Sequence, residues 1–118
     1  MRVAVATLFL ALTASTTAFS DDVAAVGAGT ATCGQYMNVY KRHPEETEKH
    51  FIGWMDGFFS GLNLAALMMG ERSRNIGDKE SNKQLLHAYC DKHPLQDVGQ
   101  AAMAIYRSLP INSSIPPN

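Results

Sequence analysis

Apolar side chains recur every three or four positions along residues 31–109, and no stretch of that region alternates strictly between apolar and polar residues. The first spacing is typical of amphipathic helices, whereas strict alternation is typical of half-buried strands. The pattern predicts four helices, over residues 34–42, 44–69, 81–92 and 94–108. We therefore expect an all-α fold, a small single-domain bundle of about four helices.

Polar and conformationally special residues mark the expected helix ends. Thr32 is a candidate N-cap for the first helix, and Gly70 suits a left-handed stop after the second. Ser81 and Gln84 have the spacing of a capping box, which places the start of the third helix at Ser81. That helix is expected to end before His93, because the residue ahead of a proline is disfavoured in a helix. The proline itself suits the first position of the fourth helix.

The second predicted helix carries three glycines at a spacing of four, Gly53, Gly57 and Gly61. Each glycine costs a helix about 1 kcal/mol relative to alanine, so we expect close approach of another helix to offset that cost. Trp54 and Phe58 lie beside the glycines and could anchor a protein partner. These five residues are the candidate helix-packing or partner face. A helix of this length is about 39 Å long, so we expect a bend or break near residues 61–63.

Two structural roles are open to this second helix. Its 19-residue apolar stretch and its glycine spacing are compatible with a membrane span. Three polar residues on one face, Asp56, Ser60 and Asn63, favour a buried core helix in a small bundle instead. The same three residues could form a polar pocket, but an internal hydrogen-bond network or a solvated side is the favoured interpretation. We expect no membrane span after processing of the N-terminus.

The N-terminal residues have the features of an export signal. Arg2 precedes a short apolar run, and Ala18-Phe19-Ser20 fits the small-x-small rule for cleavage near Ser20. We therefore expect a signal peptide over residues 1–20 and a periplasmic mature protein. Residues 21–30 are expected to be a flexible lead, residues 31–109 the helical domain, and residues 110–118 a disordered tail.

Two cysteines, Cys33 and Cys90, are present. An even number of cysteines in an oxidising compartment predicts an internal disulfide. The bond would close a loop of about 58 residues and stabilise the fold by about 4 kcal/mol on the chain-entropy model.

Charge and motif content exclude several function classes. The formal net charge is −1, and the sequence has one adjacent basic pair, so nucleic-acid binding is not expected. The four histidines lack metal-site spacing, and no phosphate loop or nucleophile motif occurs. We expect no metal, no cofactor and no enzymatic activity. The methionines could form an adaptable surface for clients, although core packing is their commoner role.

The segments around the cysteines resemble a known family. Residues 31–37, ATCGQYM, resemble the T-C-x-x-[FY] segment of the HdeA/HdeB periplasmic acid-stress chaperones, and residues 86–94, LHAYCDKHP, resemble their YC-x-K-x-P segment. The resemblance implies a small helical protein with one disulfide, and it allows a homodimer at neutral pH. It also implies that acid loosens the protein and exposes apolar surface, which then holds unfolding client proteins.

A second resemblance indicates a different role. Residues 53–57, GWMDG, are similar to the G-[YW]-x-x-G helix of Rap/Tai-type secreted immunity proteins. Our main functional expectation is a holdase chaperone of the HdeA/HdeB type for acid stress. The alternative is an immunity or inhibitor-type binding module that docks a secreted protein partner.

Overall fold

The computed structural model describes residues 27–113. All regular secondary structure in this range is helical. Its elements are a 3₁₀ helix, Gly27–Thr30, and four α-helices, α1 (Cys33–Arg42), α2 (Pro44–Met68), α3 (Lys79–Lys92) and α4 (Val98–Ser108). Extended pairing among the described residues is limited to two isolated bridges. The predicted all-α, single-domain fold is confirmed. The predicted signal peptide lies outside the described residues.

One hydrophobic core joins all five elements. The first half of α2 supplies its centre with Phe51, Ile52, Met55 and Phe59, all of them buried. The other elements surround them with Ala28, Cys33, Tyr36, Leu86, Cys90, Val98, Ala101, Ala102, Ile105 and Tyr106, together with Leu109. The core therefore sits around the N-terminal half of α2, and the C-terminal half extends beyond it.

The predicted cap of α1 is confirmed, and it is part of a capping box. The Thr32 hydroxyl accepts from the backbone N–H of Gln35 at 3.1 Å, and the Gln35 side chain accepts from the Thr32 N–H at 2.9 Å. A second box, formed by Asp97 and Gln100, begins α4. The expected start of this helix at residue 94 is therefore wrong, since the Asp97 carboxylate accepts from the Gln100 N–H, one of the free N–H groups of a helix that begins at Val98.

The start of α3 also differs from the prediction. The Asp78 side chain accepts a 2.8 Å hydrogen bond from the backbone N–H of Ser81, and the helix begins at Lys79. Ser81 therefore belongs to the first turn and is not the cap. Hydrogen bonds from the Ser81 backbone and from its side chain lower the pKa of the Asp78 carboxyl group, because they favour its charged form.

The beginnings of α1 and α4 are tied together. Thr32 and Asp97 form an antiparallel bridge. On either side of it, the Cys33 N–H donates to the Gln96 carbonyl at 2.7 Å and the Val98 N–H donates to the Ala31 carbonyl at 2.8 Å. Two capped helix ends thus share one short piece of backbone pairing.

The second helix is continuous over its 25 residues. We expected a bend or break near residues 61–63 because so long a helix does not fit inside so small a domain. No break occurs there, because the C-terminal half projects past the core instead. Gly70 follows the helix with a φ of +74°, which confirms the left-handed stop.

Both ends of the described chain are more ordered than predicted. Gly27–Thr30 is a 3₁₀ helix with Ala28 and Gly29 buried, so the expected flexible lead is wrong for its last four residues. The expected disordered tail is wrong at its start, because the Pro110 carbonyl accepts from the Asn75 N–H and the Asn112 N–H donates to the Ser73 carbonyl, at 2.8 and 2.9 Å. The rest of the lead and residues 114–118 lie outside the described residues.

Candidate interaction surface

The two cysteines form the predicted disulfide. The sulfur atoms of Cys33 and Cys90 are bonded, and both residues are buried. The bond joins the first residue of α1 to the last turn of α3, and it encloses all of α2 in one covalent loop.

The glycines of α2 face open space. A Cβ atom added at Gly53, Gly57 or Gly61 would meet no atom within 4 Å. The expectation that another helix of this chain packs closely against them is therefore wrong for the described residues. Their cost to helix stability is not offset by packing within the described chain.

Trp54 and Phe58, beside the three glycines, contact other residues of this chain. Their rings stack with 5.1 Å between centroids and an interplanar angle of 11°. The Trp54 ring also covers Gly29, where an added Cβ would come within 2.3 Å of a ring carbon. Through this contact Trp54 holds the 3₁₀ helix against α2. Both residues are half-buried, so each ring leaves only part of its surface for a partner.

Large apolar residues follow the glycines on the same side of α2. Leu64, Leu67 and Met68 are 60%, 50% and 80% exposed. At 100° per residue they fall with the glycines inside an arc of about 120°. We call this surface the open face of α2; it consists of Gly53, Gly57, Ser60, Gly61, Leu64, Leu67 and Met68. Met69 extends the apolar surface at the end of the helix and is 74% exposed.

Sequence reasoning missed this surface, although a signal for it was present. Met69 and Ala65 belong, by spacing alone, with the core residues Phe51 and Met55, yet both are exposed. Leu64 and Met68 fall on the glycine side of the helix rather than on the core side. Large apolar residues on the side opposite the core indicate a surface that is left open.

Two of the three polar residues of α2 hold other parts of the chain. The Asn63 side chain donates to the Arg74 carbonyl and accepts from the Arg74 N–H, and the Tyr106 hydroxyl donates to its Oδ1, all at 2.8 Å. The Asp56 carboxylate accepts from the Asn82 amide at 3.2 Å. These contacts form an internal hydrogen-bond network rather than a polar pocket.

A histidine lies among aromatic rings where α1 and α3 meet. The His87 ring is 4.4 Å from Tyr40 and 5.5 Å from Tyr36 between centroids, and its Nε2 is buried without a hydrogen-bond partner. Burial first, and then the nearby Lys83 ammonium, lower the pKa of His87; the carboxylates of Glu48 and Glu80 oppose this shift. A proton on this ring is therefore unfavourable in the folded protein.

Lys83 connects α2 and α3 beside this histidine. Its Nζ is 3.3 Å from the Glu48 carboxylate and 2.6 Å from the Glu80 carboxylate. Hydrogen bonds and attraction to these carboxylates raise the pKa of Lys83. The Lys83–Glu48 ion pair therefore joins the two helices through the opposite charges of its partners.

Residues 27–113 contain no group of three or more His, Cys, Asp or Glu side chains placed to hold a metal ion. Within the same residues, α2 is long and apolar enough to cross a membrane by length and composition, and 22% of its most apolar window is buried in the domain. Its core-facing residues pack as those of a core helix do.

The chain was compared with protein families, curated proteins and solved structures. No family model, no curated protein and no solved structure matches this chain.

Proposed function

We propose that the protein is an exported, non-enzymatic holdase of the HdeA/HdeB type, which keeps unfolding proteins from aggregating in acid in the periplasm. The open face of α2, extended by Met69, is the surface that contacts these clients. The observation that carries the proposal is the exposure of Leu64, Leu67, Met68 and Met69, each between 50% and 80%.

The chemistry of this surface suits clients of many sequences. Contiguous exposed apolar surface on a small protein is typical of an interaction site. Methionine side chains are flexible and polarisable, so Met68 and Met69 can adapt to differently shaped apolar segments. The surface is displayed on a rigid helix whose other half is fixed in the core, and this arrangement keeps it available without local folding.

A fall in pH would enlarge the client-binding surface by loosening the packing of the helices. The half-buried His87 ring, whose Nε2 is buried, resists protonation in the folded protein, and the Lys83–Glu48 pair depends on a charged carboxylate. Falling pH therefore weakens the contacts that hold α3 against α1 and α2. The Cys33–Cys90 disulfide keeps these elements in one covalent loop while they loosen.

The test is protection of an acid-sensitive client protein from aggregation at low pH. We expect the mature protein to suppress light scattering at equimolar ratio, and the double variant Leu64→Ser/Met68→Ser to lose most of that effect. Leu95→Ser is the matched control, because Leu95 is 92% exposed and lies outside α2. Absence of suppression by the wild type, or equal suppression by the double variant, would contradict the proposal.

A second candidate is the immunity or inhibitor-type module, which would dock one folded secreted partner. It is favoured by the empty space over Gly53, Gly57 and Gly61, which could admit a helix of a partner, with Trp54 and Phe58 at its edge. Such a module would retain one partner from periplasmic extract at fixed stoichiometry at neutral pH. Gly57→Leu fills the space and should abolish that retention, whereas Leu95→Ser should not.

A further inference from the structure

We propose that a groove between the second half of α2 and α4 binds an aliphatic carboxylate, such as a free fatty acid. The alkyl chain lies along α2, and the carboxylate is bound by Arg72 and Arg107. The groove has a volume of about 410 Å³, which is within the range of small-molecule sites. It is a different surface from the open face of α2, so this ligand goes beyond the proposed function.

The α2 side of the groove is apolar. It is lined by Leu62, Ala65 and Met69, which at 100° per residue lie about 100° or more from the centre of the open face. Met103 of α4 also lines the groove. The rise from Leu62 to Met69 is about 10 Å, which is long enough to seat part of an alkyl chain. Contact between the chain and these side chains is favourable because it removes apolar surface from water.

The charged residues of the groove are mostly basic. Arg72, Arg74 and Arg107 line it, against one acidic residue, Glu71. Within residues 27–113, no carboxylate lies at ion-pair distance from any of the three guanidinium groups. The groove therefore concentrates unpaired positive charge on a chain whose net charge is −1, and an anion is the ligand that this charge favours.

The three arginines differ in how firmly they are held. The Nη1 of Arg74 donates to the Leu109 carbonyl at 2.7 Å, and its guanidinium carbon lies 5.6 Å from the centre of the Tyr106 ring. Arg74 is half-buried, whereas Arg72 and Arg107 are exposed. The two exposed guanidinium groups can therefore turn towards a ligand and donate paired hydrogen bonds to its carboxylate, while Arg74 supplies a fixed positive charge.

The lining favours an aliphatic carboxylate over other anions. A small inorganic anion would leave the apolar part of the groove uncovered. A peptide would bring its backbone N–H and C=O groups against Leu62, Ala65 and Met69, whose side chains have no strong hydrogen-bonding groups to satisfy them. An alkyl chain has no such groups, and a single chain can enter a groove that the broad surface of a bilayer cannot. Since the groove is open to solvent, we expect weak and reversible binding.

NMR titration of the mature protein with sodium decanoate at pH 7, below the micelle concentration of decanoate, tests the proposal. We expect the backbone amide signals that shift to be concentrated in residues 62–72 and 103–107. Decan-1-ol has the same alkyl chain without the charge, so it should bind about tenfold more weakly than decanoate. High salt should weaken the binding of decanoate but not that of decanol, because salt screens the attraction of exposed charges.

Two sets of variants test the two parts of the groove. Arg72→Gln/Arg107→Gln should weaken decanoate binding about tenfold and leave decanol binding unchanged. Arg42→Gln, at an exposed position on α1, is its matched control and should bind decanoate as the wild type does. Ala65→Glu adds a carboxylate and bulk to the groove at an exposed position, so it should abolish decanoate binding. Its matched control is Leu95→Glu, because Leu95 is 92% exposed and lies outside the groove.

Several outcomes would overturn the proposal. These are the absence of decanoate-dependent shifts in the two segments, equal affinity for decanoate and decanol, and equal decanoate affinity of Arg72→Gln/Arg107→Gln and Arg42→Gln. Preferential sedimentation with phosphatidylglycerol over phosphatidylcholine vesicles, by a protein that does not bind decanoate, would assign the arginines to a membrane surface instead. None of these measurements involves a client protein, so the ligand and the holdase can fail independently.

Discussion

Replacement of Asn63 by alanine would test how the loop after α2 is held. The Asn63 amide makes two hydrogen bonds with the backbone of Arg74 and accepts a third from the Tyr106 hydroxyl. It therefore joins α2 to the loop and to α4 through one side chain. Alanine removes all three bonds and leaves the Arg74 N–H, the Arg74 carbonyl and the Tyr106 hydroxyl without these partners.

The expected loss follows from the number of bonds. Each net hydrogen bond contributes about 1 kcal/mol, so three contribute about 3 kcal/mol. Alanine is a better helix former than asparagine by about 0.6 kcal/mol, which offsets part of the loss. We therefore expect the free energy of unfolding to fall by about 2 kcal/mol, against a total of about 5–15 kcal/mol for a domain. For a domain of this size the melting temperature should fall by roughly 10 °C.

Urea unfolding followed by circular dichroism at pH 7, with the disulfide intact, measures this change. Ser60→Ala is the matched control on the same helix, because the Ser60 hydroxyl donates only to the Asp56 carbonyl one turn earlier. We expect that variant to stay within about 0.5 kcal/mol of the wild type, as surface substitutions usually do. An Asn63→Ala protein as stable as Ser60→Ala would refute the view that this amide fastens the loop.

Four further variants give separate expectations. Gly29→Ala should destabilise the fold by about 1–3 kcal/mol because its methyl group collides with an indole ring, whereas Gly53→Ala, in open space, should stabilise α2 by about 1 kcal/mol in thermal melts. The free energy of unfolding should fall from pH 7 to pH 5. The reason is that the unfolded chain takes up a proton at His87 near pH 6.5, whereas the folded protein does so only at a lower pH. His87→Phe should flatten this part of the pH profile, measured by urea titrations. Cys33→Ser/Cys90→Ser should cost about 4 kcal/mol in the same titrations, and a loss under 1 kcal/mol would contradict that estimate.

The parts of the fold that depend on local signals were predictable. The disulfide followed from two cysteines and the predicted export signal, and the cap at Thr32 followed from residue type and position. The start of α4 was mispredicted because two signals compete there. A proline at 94 suits a first turn, and Asp97 with Gln100 suits a capping box; the box prevails since it satisfies two backbone N–H groups.

The parts that depend on distant contacts were not predictable. The pairing of residues 73–75 with residues 110–112 joins segments that carry no strand pattern. Local rules also could not predict whether the side of α2 that carries the three glycines is covered by another element. Helix spacing shows that Gly53, Gly57 and Gly61 share a side, but whether another element covers that side depends on how α1, α3 and α4 share the core.

The position of the disulfide decides how the protein responds to proteolytic nicking. A protease that cuts once between residues 34 and 89 leaves two fragments that sulfur still joins, because the cut falls between the bonded cysteines. Such a nicked molecule would migrate as one species until a reductant separates it. A cut after Lys92, by contrast, releases α4 from every covalent connection to the rest of the domain.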